Sequence, residues 1–261
     1  MRKHKFYSLI TIVSVSILFI SCAPKAETQP VATPRNSVPA AEVVAQAEAL
    51  FRQREDVSKL REAVKLLAAA RTPDNRNYEI EWQYARFNYF LGRQSDSQKE
   101  SEEALENGVK AAKIAARIAP ERADGHFWYA ANLGEQAKKS PVTVGIKSVD
   151  DIREAMNKVI EIQPDYQNAS AYVALAQVEL TTGLFGGKPE KAVEYLEKAL
   201  ALEKNNAYIY LHLAQAYLAV NRDAEAKRQL EYLLKMKPSP EYKFEHQEAS
   251  EKAKKLLETR F

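Results

Sequence analysis

One cysteine, Cys22, stands in 261 residues, beside eight glycines and four histidines. A single cysteine cannot form an intramolecular disulfide. His126, His212 and His246 are scattered, with no second histidine or cysteine at ligand spacing, so the sequence offers no metal site. Scarce glycine and the lack of sustained period-two alternation leave little from which to build strands and hairpin turns. No apolar run reaches the roughly 20 residues of a membrane-spanning helix. Reacting groups are missing too. Glu102-Glu103 and Asp150-Asp151 are adjacent, so on a helix they point about 100° apart and cannot share acid-base work. Gly183 to Gly187-Lys188 falls short of a phosphate loop, because the glycines are too close, Pro189 takes the Ser/Thr place and a helix precedes it. No nucleophile-base-orienter set is visible; no catalytic residue and no cofactor are expected.

What is present begins at the N terminus. Arg2, Lys3 and Lys5 precede the largely apolar run Leu9–Ile20, which ends in Ser21-Cys22-Ala23. That is the build of an export signal. Phe19-Ile20-Ser21-Cys22 resembles the bacterial lipobox, with Phe19 where Leu is usual, and marks Cys22 as the lipidated first residue of a mature chain. An uncleaved N-terminal anchor is the alternative, and either form tethers the protein to a membrane. Ala23 after the cysteine resembles the outer-membrane sorting pattern, so the expected location is the bacterial cell envelope, facing the periplasm. Residues 1–21 hold three of the 38 Lys and Arg and none of the 35 Asp and Glu, so the mature charges balance. Nothing in that balance points to nucleic acid. Residues 22–40 carry Pro24, Pro30, Pro34 and Pro39, a semi-extended linker reaching up to about 50 Å at roughly 3.1 Å per residue.

Residues 41–261 read as helix throughout, with apolar residues three and four apart. The spacing predicts paired helices near 41–54 and 57–71, 77–92 and 98–118, 122–138 and 149–162, 168–182 and 189–203, 207–220 and 222–236, then a last helix at 242–259. Ala192, Leu196, Glu197 and Leu200 recur 34 residues later as Ala226, Leu230, Glu231 and Leu234. That period marks the tetratricopeptide repeat, whose helical hairpins stack into a solenoid. Tyr210, Leu213, Ala214 and Tyr217 fit the first-helix pattern fully; Tyr172, Leu175 and Ala176 fit with Glu179 departing, and Phe127, Ala130, Ala131 and Gly134 fit loosely. The first two units have no clear register. Pro120, Pro164 and Pro238 end units, since proline cannot continue a helix. The expected fold is all-α, a tetratricopeptide-repeat-like solenoid of about five hairpins with a C-terminal capping helix, and Asp150 is expected as an N-cap.

Spacing also locates insertions, one near Lys138–Ser148 and one at Thr182–Gly187, and loops of this kind often carry binding. Asn132, Gln177 and Gln215 recur at the position that faces the concave surface, where a ladder of amides would suit a peptide backbone or a carboxylate. Solvated positions or helix-to-helix hydrogen bonds are the plainer reading. Trp128 and Tyr129 fit a core more readily than a ligand platform. Leu184-Phe185 either tucks onto the stack or is offered to a partner.

His126–Gly134, Val149–Ala155 and Leu184–Ala192 together resemble the T-component family of TRAP transporters, over most of 105–238. That resemblance implies a periplasmic lipoprotein associated with a solute-binding protein that captures small organic acids, and implies no catalysis. Two functions stand beside each other. One is a transport accessory docking such a protein through the concave amides and the Phe185 loop. The other is a general envelope scaffold binding protein segments, with a homo-oligomer open to both.

Overall fold

The computed structural model of the protein describes residues 39–74, 76–183 and 186–261. The expected signal, Cys22 and nearly all of the linker lie outside the described residues, as do Leu184 and Phe185. Eleven α-helices follow in the described chain: α1 (Ala40–Phe51), α2 (Val57–Ala70), α3 (Tyr78–Gln94), α4 (Gln98–Ile118), α5 (Ala123–Lys139), α6 (Ile146–Ile162), α7 (Tyr166–Thr181), α8 (Pro189–Leu202), α9 (Ala207–Ala219), α10 (Asp223–Lys235) and α11 (Lys243–Arg260). Asp56, Asn77, Ser97 and Asn206 start four of them by accepting a backbone N–H that the first helical turn leaves free. Prolines punctuate the rest. Pro120, Pro164 and Pro238 follow α4, α6 and α10, and Pro189 opens α8, where a missing N–H is harmless.

Consecutive helices pair as α1 with α2, α3 with α4, α5 with α6, α7 with α8 and α9 with α10, and α11 packs on the last pair. This is the all-α solenoid of five hairpins and a C-terminal helix read from the sequence. Each odd-numbered helix also packs on the next odd-numbered one, whereas the even-numbered helices make no comparable contact with one another. The odd helices therefore take the short inner arc of the stack. Tyr210, Leu213, Ala214 and Tyr217 are all buried, as are the repeated pairs Ala192, Leu196 and Ala226, Leu230. Two apolar clusters result, and α7 contributes one face to each: Ala171, Leu175 and Val178 to the N-terminal cluster, Ala169, Val173 and Ala176 to the C-terminal one.

Three local expectations need correction. In α5 the fully buried site is Asn132, while Ala131 is only half-buried, so the third unit runs one residue later than Phe127-Ala131 implies. Asn132 Nδ2 donates to its own Trp128 carbonyl at 2.7 Å, and Asn88 does the same to Tyr84 at 2.8 Å in the second unit. An asparagine folded back on the preceding turn stands where a small residue is usual, which is why these units match the pattern poorly. Asp150 is no N-cap. It lies inside α6, exposed, 3.8 Å from Arg153. The helix starts at Ile146 because Pro141–Gly145 forms one wide π turn, with Val144 and Gly145 both donating to the Ser140 carbonyl. Finally, α7 opens on a left-handed turn, Gln167, Asn168 and Ala169 at φ 49°, 57° and 60°. Asn206 Nδ2 holds the Asn168 carbonyl at 2.8 Å and Ser170 Oγ the Gln167 carbonyl at 2.6 Å.

Candidate functional site

The inner arc forms a channel occupied by α11, with buried aromatic rings of the core beneath its N-terminal part. Phe51 stacks on Phe87 at 4.4 Å and meets Phe90 edge-on at 5.0 Å, and Phe90 and Tyr89 continue to Trp128. Guanidinium groups lie on these rings: Arg54 over Phe51 and Phe90, Arg86 over Phe51, Arg93 over Tyr89. Planar, weakly hydrated guanidinium suits such a half-dry aromatic surface better than lysine. Arg86 is paired within the channel wall, to Glu48 at 3.1 Å. Arg54 and Arg93 are answered from elsewhere.

Their partners are on α11. Arg54 Nη2 donates to both Glu245 oxygens at 2.9 and 3.0 Å and to the Glu241 carbonyl at 3.0 Å. Arg93 Nη2 donates to both Glu248 oxygens at 2.7 and 2.6 Å, and Tyr208 of α9 donates to the same carboxylate at 2.6 Å. One turn of α11 thus bridges the first two hairpins and the last one. Burial works against the Glu248 charge, but Arg93, Lys252 and Tyr208 outweigh it and hold the carboxyl down to about 2. Burial, and after it the same carboxylate, raises the Tyr208 hydroxyl well above its ordinary value.

The predicted site residues divide. Gln177 and Gln215 come together through His212: Gln177 Nε2 stands 2.9 Å from His212 Nε2, and His212 Nδ1 2.7 Å from Gln215 Oε1. An amide nitrogen only donates and an amide oxygen only accepts, so the imidazole is neutral with its proton on Nδ1. Burial pushes His212 down to about 4, which agrees with that tautomer at neutral pH. Asn132 stands apart from this pair, bridging helices by a bond to the Ala85 carbonyl at 3.1 Å. Trp128 is 3 % exposed, within the aromatic cluster. Sequence reasoning missed Arg54, Arg93, Glu245, Glu248 and His212. Their meeting joins residues up to 191 positions apart, and no spacing rule signals that.

Buried acids elsewhere are fully engaged. Asp124 accepts from Tyr78 at 2.7 Å and Tyr166 at 2.8 Å, tying three hairpins. Glu81 holds Arg71 and Arg76, both at 2.9 Å. Glu179, the departure from the repeat pattern, accepts the Lys188 N–H at 3.0 Å and Arg153 at 3.2 Å, and so ties the start of α8 and α6 to α7. Among the described residues no three His, Cys, Asp or Glu side chains gather as metal ligands, and no helix is long and apolar enough to cross a membrane. An open outer cleft of about 640 Å³ lies between α4, α5 and α6, lined by alternating charges such as Lys113, Asp151, Glu154 and Lys158.

The fold is shared with a TPR protein of Thermus thermophilus, 18 % identical with a TM-score of 0.61, over 83 % of this chain and 99 % of that one. MamA is 15 % identical with a TM-score of 0.48, over 85 % of this chain and 97 % of that one. No curated protein matches the chain. The family described as Regulator of microtubule dynamics protein 1-3 matches residues 43–260, nearly the whole helical body. That match overturns the resemblance to the TRAP T-component. The segments that carried it lie in an inner helix, in an outer helix and in a stretch that runs into α8, elements which a hairpin array needs whatever it binds. By residues 43–260 the chain belongs to the regulator of microtubule dynamics protein 1-3 family.

Proposed function

We propose that the protein is a membrane-tethered, non-enzymatic scaffold that binds protein segments along its inner channel. A lipid on Cys22 and the proline-containing stretch to residue 40 would hold the helical body off the bilayer, within the bacterial cell envelope. The observation that carries the binding reading is the channel itself: stacked inner helices present arginines bedded on buried aromatic rings, and they receive a helix, α11, through charge-assisted bonds. Asp124, Glu81 and Glu179, the buried acids named above, each serve structure. The family description speaks of microtubule dynamics. On this reading the export-type N terminus keeps the body out of the cytoplasm, so the scaffold carries over to this chain and the filament does not. Cross-linking of the tagged full-length chain in its native cells, followed by mass spectrometry, tests the proposal. Envelope proteins cross-linked to channel-facing residues support it; enrichment of small molecules without any protein partner, or of cytoplasmic proteins alone, overturns it.

A further inference from the structure

α11 is held unevenly. Its 18 residues bury fully only Ala249 and Ala253, against eight buried residues in the 13 of α9. Those two alanines, with half-buried Leu256 and Leu257, join the C-terminal apolar cluster. Ahead of Ala249 no residue of the helix is fully buried. It enters the channel after Pro238-Ser239-Pro240, and Glu245 and Glu248 make its bonds to the first two hairpins. A helix tied mainly by charge gains little from burial and is released more readily than one packed on large apolar side chains.

The channel side is built for carboxylates. Arg54 is 9 % exposed and, among the described residues, Glu245 is its ion-pair partner. Arg93 reaches a carboxylate of the channel wall, Glu135, only at 3.8 Å, against 2.6 Å for Glu248. Arg54, bedded on aromatic rings, thus requires an acid that the wall does not supply, Arg93 has only the longer contact to Glu135, and a buried unpaired charge is strongly disfavoured. Arg54 Nε and His246 Nε2 are buried without hydrogen-bond partners, so α11 leaves polar capacity at this contact unused. Carboxylates three residues apart share one face of a helix, which is the spacing of Glu245 and Glu248.

We propose that the N-terminal end of the channel is a docking site for an acidic helical segment of a partner protein, and that α11 occupies it in cis. The incoming helix presents two carboxylates one turn apart to Arg54 and Arg93 and displaces the first half of α11. This rests on the protein-binding function above and names the class of partner. Each arginine reaches both oxygens of its carboxylate through Nη2, a short charge-assisted contact.

The test uses the full-length chain and, as probe, a fluorescent peptide with the sequence of residues 240–261. In the Glu245→Gln/Glu248→Gln chain the cis helix has lost its carboxylates, while the isosteric amides preserve the fold. That chain is expected to bind the probe about tenfold or more tightly than the wild type, a gain of one decade in Kd. Adding Arg54→Gln and Arg93→Gln should abolish the gain, and a probe with Gln at both glutamates should not bind. Amide exchange over 241–250 should rise in the double variant while α9 stays protected. No gain in binding, a gain that survives the arginine changes, or unchanged exchange in α11 overturns the proposal. A native cross-linked partner that persists after Arg54→Gln/Arg93→Gln removes this site and leaves the scaffold function standing; recovery of no protein partner removes both.

Discussion

Leu213 shows what a repeat position contributes. It is fully buried between helices, flanked by Ala214, which lets the neighbouring helix approach. Leu213→Ala is expected to destabilise the protein by about 2–5 kcal/mol through lost burial and the cavity left behind. Urea denaturation checks this, and a loss below about 0.5 kcal/mol would place Leu213 outside the core. Asn132 sets a different constraint, because Gly108 of α4 lies directly against its amide and a Cβ there would collide with it. Gly108→Ala should therefore cost about 1–3 kcal/mol by overpacking. Asn132→Ala in the same chain should recover part of that loss, and the non-additivity of a double-mutant cycle measures it.

Among the elements, α7 combines the most conflicting demands. Its left-handed opening turn places three non-glycine residues where each bears about 1–2 kcal/mol of steric penalty. Gln167 is half-buried, whereas Ala169 is fully buried and Asn168 offers its carbonyl to Asn206. Gln167→Gly is expected to raise stability by about 0.5–1 kcal/mol, the relief exceeding the entropy that glycine adds to the unfolded chain. Thermal melting reads the sign directly, and a lowered melting temperature would mean that the turn is unstrained. At its other end α7 places Glu179 at a repeat position, and the carboxylate binds Lys188 N–H, Arg153 and, at 3.9 Å, Lys191, joining α7 to α6 and α8.

For the whole molecule, acid is the sensitive direction. His212 has its pKa depressed to about 4, so its contribution is complete above the ordinary histidine value near 6.5 and is lost as pH falls toward 4, where the unfolded chain binds the extra proton. Glu248 is also depressed, to about 2; its contribution is complete above the ordinary glutamate value of 4.5 and is lost as pH falls toward 2. Both act at the junction of α11 with the inner helices. Stability measured by denaturant titration is expected to decline from pH 7 to pH 4, and His212→Gln to flatten that decline while leaving the drop below pH 4.5. A second whole-molecule prediction concerns the tether. Cys22→Ala should move the protein from the membrane fraction to the soluble one and abolish incorporation of labelled palmitate; an unchanged fractionation would mean that an uncleaved segment is the anchor.

Much of the architecture was legible from local chemistry. The 34-residue recurrence of Ala192 and Leu196, the prolines after α4, α6 and α10, and the 3.6-residue spacing specified five hairpins and a final helix, because each hairpin buries its own stripe against its neighbour. Boundaries failed where the backbone is unusual, at the π turn before Ile146 and the left-handed turn before Ser170, since neither has a compositional signature. The amides at 177 and 215 were visible as a ladder, but their link through His212 was not. The channel contact was beyond reach for a stronger reason. Arg54 meets Glu245, and Arg93 meets Glu248, only because the superhelix brings its two ends to one helix, and that depends on small rotations accumulated over five stacked units. Sequence period determined which helices pair; the tertiary curvature alone decided what fills the channel between them.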